Sequence, residues 1–134
     1  MQTKVVAYIT RGRQLLVFEH AGLPEAGRQV PAGTAEPGEA LEAALWREVG
    51  EESGLTREQL VFKGWLRVVD HPAFAVVRHY GWLEADPSVP ARWLHRVGGG
   101  GEDEGLLFAY RWEAFPPPPL EGRQDECLTD LAIW

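Results

Sequence analysis

Residues Gly33 to Leu55 read GTAEPGEALEAALWREVGEESGL. The stretch carries a glycine, a glutamate at 39, the pair Arg47-Glu48, the pair Glu51-Glu52 and a closing Gly54-Leu55. As a pattern it is G-x5-E-x7-R-E-U-x-E-E-x-G-U, where U is aliphatic and is filled here by Val49 and Leu55. Its composition predicts a helix from about Pro37 to Ser53. Proline suits a first helical turn, Glu39 complements the positive end of the dipole, and the interior is rich in Ala, Leu and Glu. Gly54 is placed to stop the helix in the left-handed C′ conformation, with Leu55 packing back.

At 100° per residue, Leu41, Ala44 and Leu45 form the stripe that faces a core. Continuing the stripe puts Glu48 and Glu52 in line with Leu41 and Leu45, with Glu51 at its edge. The last two turns therefore point carboxylates where the first turns point leucines. An unpaired buried charge is costly, so such groups must open on a cleft, find partners or bind a cation. A solvated acidic face, with Arg47 paired to Glu51 at i,i+4, is the competing reading. It suits Glu42 and Glu58 better than the inward-phased Glu48, Glu51 and Glu52. Hard cations such as Mg²⁺ take oxygen ligands and commonly bridge to substrate phosphates. An acidic pocket repels a pyrophosphate until a cation screens it, so a net charge of −7 is compatible with a phosphate substrate once metal is bound.

The complete pattern resembles the signature of the Nudix hydrolases. The resemblance implies an α/β/α sandwich, with a mixed β-sheet between helical layers, and a single domain over residues 1–134. It also implies that Glu48, Glu51 and Glu52 bind Mg²⁺, or Mn²⁺ in its place, with a backbone carbonyl near Gly33 completing the shell. Arg47 and Glu39 become the pair that holds loop and helix in register. The activity implied is hydrolysis of a pyrophosphate linkage in a nucleoside diphosphate derivative, a small-molecule substrate. Two alternatives stand beside it: a catalytically silent nucleotide-binding or sensor domain, and a pyrophosphohydrolase of RNA 5′ ends. Members of the family often form homodimers, and a homodimer is compatible here.

Length and composition agree with one compact domain: 134 residues, 45% hydrophobic and 25% charged. A single cysteine, Cys127, excludes an internal disulfide framework and suits a reducing compartment. The apolar run Val5 to Ile9 is the size of a strand, too short for a signal sequence or a membrane span, so a cytoplasmic location is expected. Scattered arginines (Arg11, Arg13, Arg28, Arg67, Arg78) form no basic tract, which argues against general nucleic-acid binding. His20, His71, His79 and His95 lack the spacing of a metal pair, and the six tryptophans suit packing better than base stacking.

Strands are expected at Lys4 to Thr10, Gln14 to His20, Gln29 to Pro31, Leu60 to Val69, Phe74 to Glu84, Trp93 to Val97 and Leu106 to Trp112. A closing helix is expected at about Glu121 to Ile133. Between the last two strands lies GGGGEDEG, Gly98 to Gly105. It reads either as a solvated hairpin loop or as a lid whose Glu102, Asp103 or Glu104 reaches the metals. The family often draws a further carboxylate from a late loop, and Glu102 or Asp103 is the candidate for that ligand or general base. Family members preferring ADP-ribose often carry a proline about fifteen residues beyond the signature. Pro72, at seventeen, is a near miss, so the diphosphate derivative is left open.

Overall fold

The computed structural model describes residues 1–133. Seven strands form one mixed sheet: β1 (Gln2–Arg11), β2 (Gln14–His20), β3 (Ala32–Thr34), β4 (Leu60–His71), β5 (Val76–Ala85), β6 (Arg92–Arg96) and β7 (Leu107–Ala114). A single α-helix, α1 (Leu41–Ser53), lies between β3 and β4. The strand order is β4-β5-β1-β2-β7-β6, with β3 paired to β1 off that path. Strands β1 and β5 run parallel, and the other pairings are antiparallel. The expected α/β class with a mixed sheet is therefore observed.

Strand β1 organises the molecule. Val5 to Thr10 are all buried, as the near-continuous apolar run of a central strand requires. Alternation sends Val5, Ala7 and Ile9 to the core beneath α1, and Val6 and Tyr8 to a second core on the opposite face. One edge of β1 pairs with β2 through Thr10 and Arg11, and with β3 through Lys4, Val5 and Val6. The sheet forks there, and the functional cleft lies at the fork.

Several expected boundaries move. Helix α1 begins at Leu41, not Pro37, because Gly38 is left-handed (φ +78°) and Ala40 is extended. Glu39 is instead drawn into a turn, where its carboxylate accepts from the Glu36 amide (2.9 Å) and from Arg47. The helix stops as expected, with Gly54 at φ 79° and Leu55 buried. The short strand lies at Ala32–Thr34 rather than Gln29 to Pro31. Gln29 makes only an isolated bridge to Phe18, and Pro31 contributes its carbonyl to Ala7.

The closing α-helix is not formed. Residues Glu121–Arg123 and Leu128–Asp130 are separate 3-10 turns. Gly122 and Arg123 are both left-handed (φ 61° and 59°), which breaks a helix at its first turn. Side chains hold the segment instead. Tyr8 donates its hydroxyl hydrogen to the Gln124 carbonyl, Gln124 Oε1 accepts from the Val30 amide (2.8 Å), and Arg67 clasps Asp130 at 2.8 Å. Leu120, Cys127, Leu128 and Leu131 still bury into the second core, so this layer is made of turns packed by their side chains. Cys127 accordingly lies among turns and not within a helix. Among the described residues, no helix is long and apolar enough to cross a membrane.

Candidate functional site

One cleft of about 460 Å³ is lined by Gly33, Arg47, Glu48, Glu51, Glu52, Glu102 and Asp103. The cleft gathers these seven nominated residues together with Glu104, carried there by three separate elements, while Glu39 stands outside it. Strand β3 brings Gly33, the last two turns of α1 bring the glutamates and Arg47, and the β6–β7 loop brings the acids 102 and 103.

The inward phase of the helix is realised in graded burial. Glu52 is 6% exposed, while the side chains of Glu48 and Glu51 are 12% and 23% exposed. Glu52 Oε1 accepts one hydrogen bond from the Ala32 amide (3.1 Å). Its surroundings are otherwise acidic. Burial, joined by the charges of Glu48, Asp103 and Glu51, pushes its carboxyl up to about 8 despite the Ala32 amide. Burial likewise raises Glu48, against the pull of Arg47. All three carboxylates sit at the negative end of the helix dipole, with no basic residue in the last turn of α1.

Arg47 is the local counterweight. Its Nε and Nη2 donate to Glu39 (2.8 and 2.9 Å), Nη2 also to the Thr34 carbonyl (3.1 Å), and Nη1 to Glu48 (2.9 Å) and Glu51 (3.4 Å). The hydrogen bonds from Arg47 hold the Glu39 carboxyl down at about 2. Arg47 thus ties the turn before the helix, the end of β3 and the acid cluster together.

Two glycines let the loops approach these acids closely, and Gly99 is in addition left-handed (φ +92°). A Cβ on Gly33 would stand 2.0 Å from the Glu48 carboxyl carbon, and one on Gly99 would stand 2.2 Å from that of Glu51. Gly99 was not singled out by sequence reasoning, and the glycine run was its only trace. A second missed contact is His95, whose Nε2 lies 3.0 Å from the Glu51 carbonyl, which also accepts from the Gly98 amide (3.1 Å). The end of α1 and the start of the acidic loop are therefore joined through one carbonyl. Nothing in the spacing of the histidines signals that role.

Within the loop the acids differ. Glu104 is occupied, accepting from the Gly100 amide at 3.1 Å. Asp103 acts electrostatically on Glu52 and lines a second, adjoining cavity as well as the cleft. Glu102 lines only the cleft, and Glu102 and Asp103 are both exposed.

The donor set fits a hard divalent cation: carboxylate oxygens, close backbone, and a buried acid surrounded by like charge. Among the described residues, however, no three acidic, imidazole or thiol groups close into a metal-ligand cluster. The Arg47 guanidinium lies between Glu48 and Glu51 and takes the place of a cation there. Binding a metal at these acids requires their side chains to turn away from Arg47.

The family model of the NUDIX domain matches residues 1–128. The chain belongs to the NUDIX family. Among curated relatives, an RNA pyrophosphohydrolase of Caulobacter vibrioides (strain NA1000 / CB15N) is 33% identical over 110 residues, which is 81% of this chain and 55% of that protein. The chain therefore spans about half the length of the curated relatives it matches. An ADP-ribose pyrophosphatase from Streptococcus suis 89-1591 superposes with a TM-score of 0.67 at 16% identity, covering 96% of this chain and 87% of that one. A UDP-X diphosphatase superposes with a TM-score of 0.66 at 15% identity, covering 96% and 60%. At such identities the superpositions establish the NUDIX fold and nothing finer.

Proposed function

We propose that this NUDIX domain is a pyrophosphohydrolase acting on a nucleoside diphosphate linked to another group. The observation that carries the reading is Glu52: a buried carboxylate at a helix C-terminus, subject to the charges of Glu48, Glu51 and Asp103, with the Ala32 amide as the one hydrogen-bond donor to its side chain among the described residues. A site built in this way is complete only with a cation. Glu48, Glu51, Glu52 and the Gly33 carbonyl are the groups to hold Mg²⁺, or Mn²⁺ in its place. When bound, the cation supplies charge screening for the diphosphate and stabilises negative charge on the departing phosphate.

The remaining chemistry belongs to the chain. Arg47 and Glu39 fix the helix against β3, so that the carboxylates meet the substrate in one orientation. Water attacks one phosphorus, its P–O bond to the bridging oxygen breaks, and the water proton passes to a carboxylate. Asp103 is the better candidate for that base, because it lines the adjoining cavity as well as the cleft and its charge bears on the Glu52 carboxyl. The Gly98 to Gly105 loop, anchored by Gly98 to the Glu51 carbonyl, positions it. We place the domain in the cytoplasm, where nucleotides are abundant and the Cys127 thiol stays reduced.

A second reading, hydrolysis at an RNA 5′ end, is supported by the 33% identity to the Caulobacter RNA pyrophosphohydrolase. The experiment is a panel of nucleotide sugars, ADP-ribose, dinucleoside polyphosphates, nucleoside triphosphates and 5′-triphosphorylated RNA, assayed with Mg²⁺ and Mn²⁺. Turnover of at least one member that disappears in Glu52→Gln is expected. Binding without turnover throughout would make this a sensor domain.

A further inference from the structure

A smaller cavity, about 190 Å³, adjoins the acidic cleft at the fork of β1. The two share Lys4, Ala32, Gly33, Glu52 and Asp103 among their lining residues. Three cations line the pair: Lys4, Arg47 and Arg78. Arg47 is engaged by Glu39, Glu48 and Glu51, and Arg78 by Glu126 (3.4 Å) and the Tyr80 hydroxyl (3.2 Å). The Lys4 side chain makes no hydrogen bond, ion pair or cation–π contact among the described residues.

Its placement on the strand makes this notable. In register, Lys4 stands between Thr34 of β3 and Arg78 of β5. It continues the row of Val6 and Tyr8, which bury into the second core. Lys4, a half-buried residue, therefore takes the place of an apolar one where that row reaches the cavities. The smaller cavity is not built for a base. Among the described residues Phe18 is the one aromatic lining it, and Phe18 is 2% exposed, packed against Phe108 and Tyr110 with centroids 4.0 and 5.2 Å away. It presents no free ring face on which a base can stack.

We propose that the smaller cavity receives a further phosphate of the substrate, held by Lys4. The preferred substrate then carries at least three phosphates in a row, as a 5′-triphosphate does, and not a bare diphosphate joined to a sugar. This rests on the pyrophosphohydrolase reading above and narrows it. The acidic cleft takes the two phosphates flanking the broken bond, and Lys4 meets the charge that follows.

The test is calorimetric titration, in Mg²⁺, of methylene-bridged di- and triphosphate analogues of adenosine. Wild type should bind the triphosphate analogue at least ~10-fold more tightly, and Lys4→Gln should reduce that preference to about twofold or less, with Lys4→Arg restoring most of it. An unchanged preference in Lys4→Gln, or none in wild type, overturns the assignment. Failure of the hydrolase reading looks different: wild type turns over no panel member, whatever it binds. Comparing ATP with a 5′-triphosphorylated oligoribonucleotide as substrates separates free nucleotide from RNA end, and in both Lys4→Gln must raise KM. If ADP-ribose or a nucleotide sugar is the best substrate and its KM is indifferent to Lys4, the proposal is wrong.

Discussion

Glu52 and Glu126 are the same side chain, shielded from water on opposite faces of one sheet, in contrary settings. Glu126 accepts from His71 (2.9 Å), from Arg78 (3.4 Å) and from the Tyr80 hydroxyl. Burial pushes its carboxyl up, but the hydrogen bonds of Tyr80 and His71 and the charges of His71 and Arg78 outweigh that and leave it below the ordinary value. Glu52 has one amide and three acidic neighbours, and its carboxyl rises to about 8. Glu126 is a finished structural contact that pins the C-terminal turns to β4 and β5. Glu52 is an unfinished one. The contrast lies in the neighbours: a half-buried carboxylate among donors and cations, and a buried one among carboxylates, the setting from which the cation-binding proposal is argued.

The sharpest way to break this contrast is turnover. Glu52→Gln and Glu51→Gln should each lower kcat on the best panel substrate by ~10³-fold, about 4 kcal/mol of transition-state stabilisation, while Glu126→Gln should stay within about threefold of wild type. Near-normal rates in both helix variants would remove the chemistry from α1.

Stability should invert the ranking. Glu126→Gln leaves Arg78 without its carboxylate and weakens the bonds of His71 and Tyr80, a loss of roughly 2–3 kcal/mol in denaturant unfolding. Glu52→Gln relieves like-charge repulsion, so metal-free stability should hold or rise slightly. Adding Mg²⁺ should raise the Tm of wild type more than that of Glu52→Gln. Equal shifts would place the cation elsewhere.

The two carboxylates also give opposite pH slopes. With its folded value near 8 against an ordinary 4.5, Glu52 keeps a proton that the unfolded chain releases. Its contribution to metal-free stability should therefore fall as pH rises from about 4.5 to about 8, by at most about 1.4 kcal/mol per pH unit. Glu126, held below its ordinary value, contributes stability that is present at neutral pH and is lost on acidification through its lowered range. Unfolding followed across that range should show the Glu52 slope in wild type and its absence in Glu52→Gln. A slope that survives the substitution belongs to another group.

The smallest effect separates the loop acids. Asp103→Asn should slow turnover about fivefold or more, near 1 kcal/mol, and Glu102→Gln less than about twofold. The reverse order would give the role to Glu102, and no effect from either, alone or combined, would make the loop a connector.

The segment from Gly33 to Leu55 was legible because helical phase is local: a 3.6-residue period, a left-handed glycine stop and acids on the apolar stripe need no knowledge of the rest of the chain. The first β-hairpin and the long β4–β5 pair were legible in the same local way, from strand-sized apolar runs and turn residues, whereas the loop acids Glu102 and Asp103 were nominated from the family resemblance. The closing helix misled, because Gly122 and Arg123 take left-handed angles that Tyr8, Val30 and Arg67 secure from distant strands, and no local propensity records those partners. Only tertiary structure set the burial of Glu52 against the exposure of Glu102, brought Gly99 against Glu51, and left the Lys4 side chain without a partner among the described residues, between two cavities. Each of these depends on which strand lies beside which, since charge, desolvation and close approach are properties of neighbours in space. What the sequence determined alone was which residues could do chemistry. The fork in the sheet decided which of them meet.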